Sequence, residues 1–141
     1  MVIKQLSVFL ENRSGRLTEV TDILSENQIN LSALSIAETA DYGVLRMIVD
    51  NPEKAVRALK KNDLSVHTTD VIAIITPDIP GALNKVIKYL SEEQVNIAYM
   101  YGYSNEGKAS IIMKVNDPQK AIEILQNKKI ELISASAFYE I

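Results

Sequence analysis

The chain has 141 residues, 47% of them hydrophobic and 23% charged, with a formal net charge of -3, a single histidine and no cysteine. The lack of cysteine removes disulfides, thiolate nucleophiles and thiolate metal sites, and lone His67 forms neither a triad nor a metal cluster, so no catalytic residue, metal ligand or cofactor is nominated. The acidic balance lacks the basic face of a nucleic-acid binder, and the longest strongly apolar run, Val71 to Ile75, falls far short of the ~20 residues that span a bilayer, so a cytoplasmic protein engaging neither nucleic acid nor membrane is expected.

Alternating apolar residues from Ile3 to Leu10 predict a strand, and Leu17, Val20, Ile23 and Leu24 recur at helical spacing to about Asn27. Lys4 and Gln5 interrupt the apolar start, so it does not read as a signal-peptide core. Leu31 to Ile36 and Val44 to Val49, separated by a polar turn around Asp41 and Gly43, predict a hairpin. Asp50, Asn51 and Pro52 supply capping and first-turn residues for a helix carrying Ala55, Val56 and Leu59. A strand over Leu64 to Val71 closes this first half. The order then recurs: strand 71–76, helix 81–93, strands 97–103 and 109–115, helix 118–127 and strand 130–138.

The recurrence is written in the residues. A shift of 66 positions lays residues 6–71 on 72–137 without a gap, with 14 identities. These include Gly15 on Gly81, Leu17 on Leu83, Asn30 on Asn96, Met47 on Met113 and Pro52 on Pro118. Two copies of a βαββαβ unit follow, 1–70 and 71–141. Two interlocked right-handed βαβ crossovers give a ferredoxin-like α+β sandwich, an antiparallel sheet with its helices on one face. No Gly/Ser/Pro-rich linker separates the copies, so a rigid connection is expected.

Core packing does not explain why Gly and Asn recur in loops. The turn from first strand into first helix reads Asn12, Arg13, Ser14, Gly15, Arg16, Leu17 in one copy and Asp78, Ile79, Pro80, Gly81, Ala82, Leu83 in the other. Read singly, Asn12 and Asp78 are helix N-caps, Pro80 suits a first turn, and the glycines permit close approach of the backbone. Exposed amides at a helix start also attract an anion. The second recurring feature is Asn30 before Leu31 and Asn96 before Ile97, which read singly as turn formers.

Together the Asn/Asp-x-x-Gly-x-Leu loops and the paired asparagines resemble the ACT domain, a regulatory module that generally binds amino acids, and the resemblance covers the chain as two tandem copies. It implies side-by-side pairing of two units into an eight-stranded sheet with four helices on one face and amino-acid sites at the seam. Under that pairing, Asn12, Arg13, Ser14, Gly15, Arg16 and Leu17 share one site with Asn96, Ile97 and Tyr99. Asp78, Ile79, Pro80, Gly81, Ala82 and Leu83 share the other with Asn30 and Leu31. A partner chain can supply the same pairing, so a homodimer is expected. All four arginines lie in the first copy, while Tyr99, Tyr101 and Tyr103 stand where the first copy has Ala33, Ser35 and Ala37. The first seam is therefore expected to be the stronger. The resulting function is a non-catalytic amino-acid sensor acting on a partner enzyme or regulator. The alternatives are an oligomerisation module with degenerate sites and, less favoured, a small ferredoxin-like enzyme, for which no nucleophile and base stand at a recognisable spacing.

Overall fold

The computed structural model describes residues 1–38 and 41–139. The last two residues of the second expected copy therefore lie outside the described residues. The elements in chain order are β1 (Ile3–Glu11), α1 (Arg16–Glu26), β2 (Leu31–Glu38), β3 (Tyr42–Val49), α2 (Pro52–Lys61), β4 (Val66–Pro77), α3 (Ala82–Glu92), β5 (Ile97–Asn105), β6 (Lys108–Val115), α4 (Pro118–Asn127), β7 (Glu131–Leu132) and α5 (Ala135–Tyr139). The chain divides into two compact units. The first comprises Lys4–Thr69 with Phe138 and Tyr139, and the second comprises Asp70–Ala137 with Met1–Ile3.

In the first unit, antiparallel β3 lies between β2 and β1, and Phe9 donates its amide to Ser65 O at 3.0 Å, bringing the chain entering β4 beside β1. Leu6, Val8 and Leu10 of β1 and Leu45, Met47 and Val49 of β3 point to one face. Val20, Ile23 and Leu24 of α1, with Ala55 and Leu59 of α2, close over them. This is the arrangement that the period-2 and period-3.6 patterns require, since each element hides its apolar side against the other. Each such buried aliphatic side chain contributes about 1.5–3 kcal/mol by leaving water.

The second unit repeats the plan with β6 between β5 and β4. Ile72, Ile74, Ile111, Met113 and Val115 face Val86, Leu90, Ala121 and Leu125. The β2–β3 ladder shifts register between Leu31 and Ala33, and the β5–β6 ladder shifts between Ile97 and Tyr99, so even the irregularity is duplicated 66 residues on.

The tandem ferredoxin-like α+β class holds, but the count of elements differs from expectation. Strands 64–71 and 71–76 are one continuous strand, β4, because Thr68, Thr69 and Asp70 include no glycine or proline to turn the chain. Among the described residues seven strands result rather than eight. The expected strand 130–138 shrinks to β7, which pairs Ile74 with Leu132 and Ile75 with Glu131. After the Ile133 amide donates to Ala73 O at 2.8 Å, the chain turns into α5, so the described residues hold five helices where four are expected. Ser134 Oγ accepts the Ala137 amide at 3.2 Å, a helix-start bond that outcompetes continued pairing, and Ala135 and Ala137 are strong helix formers.

Candidate functional site

Helix α1 starts from Gly15 at φ 91°, ψ -15°, and α3 from Gly81 at φ 87°, ψ -14°, with no side-chain cap bond at either start. Asn12 and Asp78 are therefore not the N-caps that their residue types suggest. A left-handed glycine turns the chain into the helix three residues later, a conformation that costs an L side chain about 1–2 kcal/mol. The amides of Asn12 and Asp78 instead close the loop onto the neighbouring hairpin, donating to Asp41 O and to Gly107 O, each at 2.9 Å. Pro80 precedes the cap, outside the first helical turn.

The two loops differ in charge. Arg13 pairs with Glu11 at 2.9 Å on the surface, where such a pair adds little stability. Arg16 Nη1 reaches Glu19 Oε2 at 2.7 Å, and Arg16 Nε is buried with no hydrogen-bond partner. Arg16 is the more deeply set guanidinium, at 18% side-chain exposure against 60% for Arg13.

Each loop borders a cavity built within its own unit. Asn12, Arg13, Arg16 and Leu17 line a space of about 110 Å³ with Ile36 and Gly43. At the equivalent place Asp78, Ile79 and Leu83 line about 360 Å³ with Met100, Tyr101 and Tyr103. The difference has a visible source: Gly102 on β5 occupies the position of Ile36 on β2. Ser14, Gly15, Pro80 and Gly81 are exposed, and Ala82 is half-buried.

The asparagines sit elsewhere. Asn30 donates its amide to Asp50 Oδ1 at 3.1 Å and its carbonyl accepts the Asp50 amide at 3.1 Å. Asn96 repeats this with Asn116, at 3.0 Å and 3.1 Å. Both side chains are exposed, while Leu31 and Ile97 beside them pack on their unit's core and Tyr99 is half-buried. Since β3 begins beside loop 12–16 and ends beside Asn30, the two features of one unit are separated by eight residues of strand, roughly 25 Å at about 3.4 Å per residue. A ligand of amino-acid size cannot touch both within a single unit. Gln28 and Gln94, at φ 57° and φ 62°, set this corner in both copies and carry no sequence signal of the glycine kind.

Among the described residues no group of three or more His, Asp or Glu side chains is placed to hold a metal ion, and no helix is long and apolar enough to cross a membrane. The duplicated sandwich with a glycine-started loop in each copy is of the ACT type, and the chain belongs to the ACT domain pair family, whose model matches residues 1–141. It resembles protein BT0572 from Bacteroides thetaiotaomicron, with 52% identity, full coverage of this chain, 98% coverage of that one and a TM-score of 0.96. The acetolactate synthase small subunit of Haemophilus influenzae is 34% identical over 71 residues, which is 50% of this chain and 43% of that protein, so the match spans less than half of that relative's length. The ligand-free regulatory subunit of aspartate kinase from Thermus thermophilus shares the fold at a TM-score of 0.66 and 14% identity, covering 88% of this chain and 91% of that one.

Proposed function

We propose that this protein is a non-catalytic, amino-acid-binding regulator built from two tandem sequence copies, 1–70 and 71–141. In this reading the ligand lies where the β1–α1 type of loop of one unit meets the second strand of another, in one chain or between two chains of a cytoplasmic homodimer. One observation carries it: in both units a left-handed glycine opens a helix with no side-chain cap, leaving first-turn amides for a carboxylate beside a cavity. The separation of loop and asparagine along β3 supports a site made by two units, because within a single unit the two lie too far apart for one ligand. The first site takes Asn12, Gly15 and Arg16 with Asn96 and Tyr99, and the second takes Asp78 and Gly81 with Asn30. The side-chain carbonyls of Asn12 and Asn96 accept from the ammonium, and Arg16, with an unpartnered donor, is better suited than surface-paired Arg13 to the carboxylate. The names of the relatives point to enzymes of amino-acid metabolism as the controlled partner.

Calorimetry and a thermal-shift screen of the twenty amino acids test the reading, since a specific ligand stabilises the folded state by mass action. Asn96→Ala is expected to weaken the best ligand about tenfold, the loss of one charge-assisted hydrogen bond. Its stability should hardly change, because the backbone bonds to Asn116 remain. Unchanged affinity would remove Asn96 from the site.

A second reading, an assembly module, has its own support. Leu34 and Ile36 stand 51% and 49% exposed on β2, a strand paired on one side only, a surface suited to a second copy. Association that depends on concentration and ignores every amino acid is the result that favours it.

A further inference from the structure

A further cavity of the second unit lies away from the asparagine corner. It opens between the end of β4, the first turns of α3 and the turn from α4 into β7, with a volume of about 740 Å³. That is within the usual range for small-molecule sites, roughly 300–1,000 Å³. It shares only Thr76, Pro77 and Ile79 with the 360 Å³ space on the other side of the loop. Ile75, Val86 and Ile130 supply apolar wall, and Tyr89 an aromatic ring. Around them stand Lys85, Lys108, Lys128 and Lys129, against the single carboxylate of Glu131. Among the described residues none of the four lysines has an ion-pair partner, Glu131 included; Lys128 Nζ lies 5.0 Å from the Tyr89 ring centroid.

The two copies differ in the residues they place here. At the matching place in the first unit, Arg16 stands for Ala82 and pairs with Glu19, which stands for Lys85. Phe9 stands for Ile75 and meets Tyr42, which stands for Lys108, at a ring-centroid distance of 6.1 Å. Asn62 and Asp63 stand for Lys128 and Lys129. One copy sets an ion pair and a half-exposed aromatic pair at these positions. In the other, Ala82, Lys85, Ile75 and Lys108 take those positions, and four lysines without an ion-pair partner among the described residues surround an open space. Folding gains nothing from like charges brought together around an open space, whereas an anion entering it gains from all of them.

We infer that this cleft binds a small organic polyanion, an apolar or aromatic body carrying a phosphate monoester or paired carboxylates. Lysines act as point charges on phosphate or carboxylate oxygens, and the Ile75, Val86 and Tyr89 walls take the body. The cleft shares Ile79, Pro80, Gly81 and Ala82 with the loop of the second amino-acid site proposed above, while its lysines and its Ile75, Val86 and Tyr89 walls belong to the cleft alone.

Titration of the full chain with phenyl phosphate and with phthalate, followed by calorimetry, tests it, and whichever binds more tightly names the anion. One of them is expected to saturate one site per chain, with affinity falling as salt rises and with inorganic phosphate at least about tenfold weaker for lack of a body. The double variant Ala82→Arg, Lys85→Glu, which installs the first copy's ion pair, should abolish binding. Because that variant places new bulk in the fold, Lys128→Gln with Lys129→Gln is the companion: it keeps the volume and should weaken binding about tenfold while flattening the salt dependence. No saturable binding by either probe, inorganic phosphate binding as well as phenyl phosphate, or affinity untouched in the glutamine variant would each overturn the assignment.

Discussion

Three glycines show how differently one residue type is used. Gly15 and Gly81 hold positive φ angles with open space where a Cβ would stand, so an added methyl meets only backbone strain. Gly15→Ala should therefore cost about 1–2 kcal/mol, the price of a left-handed L residue, with no repacking. Gly102 is the opposite case: a Cβ there would lie 2.2 Å from Ser110 O and 2.8 Å from Ile111 Cδ1. Backbone cannot yield as a side-chain end can, so Gly102→Ala should cost as much or more, about 2–3 kcal/mol, and loosen the pairing of β5 with β6. Urea denaturation of the two variants, with amide exchange on β6, checks the contrast; slow exchange on β6 retained in Gly102→Ala would mean the strand accommodates the methyl.

At the level of elements, most of the fold is legible in the sequence, because hydrophobic period and turn chemistry agree there. Helix α2 begins where Asn51 and Pro52 say it should: Asn51 accepts from the Lys54 amide at 3.2 Å, and Asp117 repeats the bond to Lys120 at 3.1 Å. Asn51→Ala and Asp117→Ala are expected to lower stability by about 1 kcal/mol each, read by chemical denaturation. The misread stretches are places where two local signals compete. Residues 130–138 alternate well enough for a strand, yet Ser134 followed by Ala135 and Ala137 is also a helix start, and the shorter-range bond won. Asn12 and Asp78 have capping chemistry, but the helix start went to glycines whose backbone freedom outweighs a side-chain acceptor. For the candidate sites, the loops and asparagines were visible as repeated motifs, while their separation along β3 was not, since distance within a sheet is a property of pairing. The lysine-rimmed cleft was hidden for a further reason. Its four lysines are spread over 45 positions, from 85 to 129, and no local motif groups them.

At the scale of the whole chain, the repeat in sequence and the units in space are not the same partition. The first unit, Lys4–Thr69, includes Phe138 and Tyr139 from the far end of the chain, and Tyr139 Oη accepts the Lys4 amide at 3.4 Å. The second unit includes Met1–Ile3, with Val2 packed on its core. Between them β4 passes from one unit to the other at Thr69 and Asp70 without leaving its strand. Cutting the chain after residue 70 therefore deprives the first copy of Phe138, which is only 3% exposed, and the second of Val2. Phe138→Ala in the intact chain should cost about 3 kcal/mol, the usual loss for a buried aromatic truncated to a methyl, and the fragment 1–70 should be destabilised by at least as much. Urea denaturation of the variant and of the fragment, each against the full chain, measures both. A loss below about 1 kcal/mol for Phe138→Ala would mean that the side chain fills no packed core, since that is less than the transfer energy of its buried surface. A large loss in both, reversed in the fragment when a peptide covering 130–141 is added, would establish that the first unit is completed by residues from the opposite end of the chain.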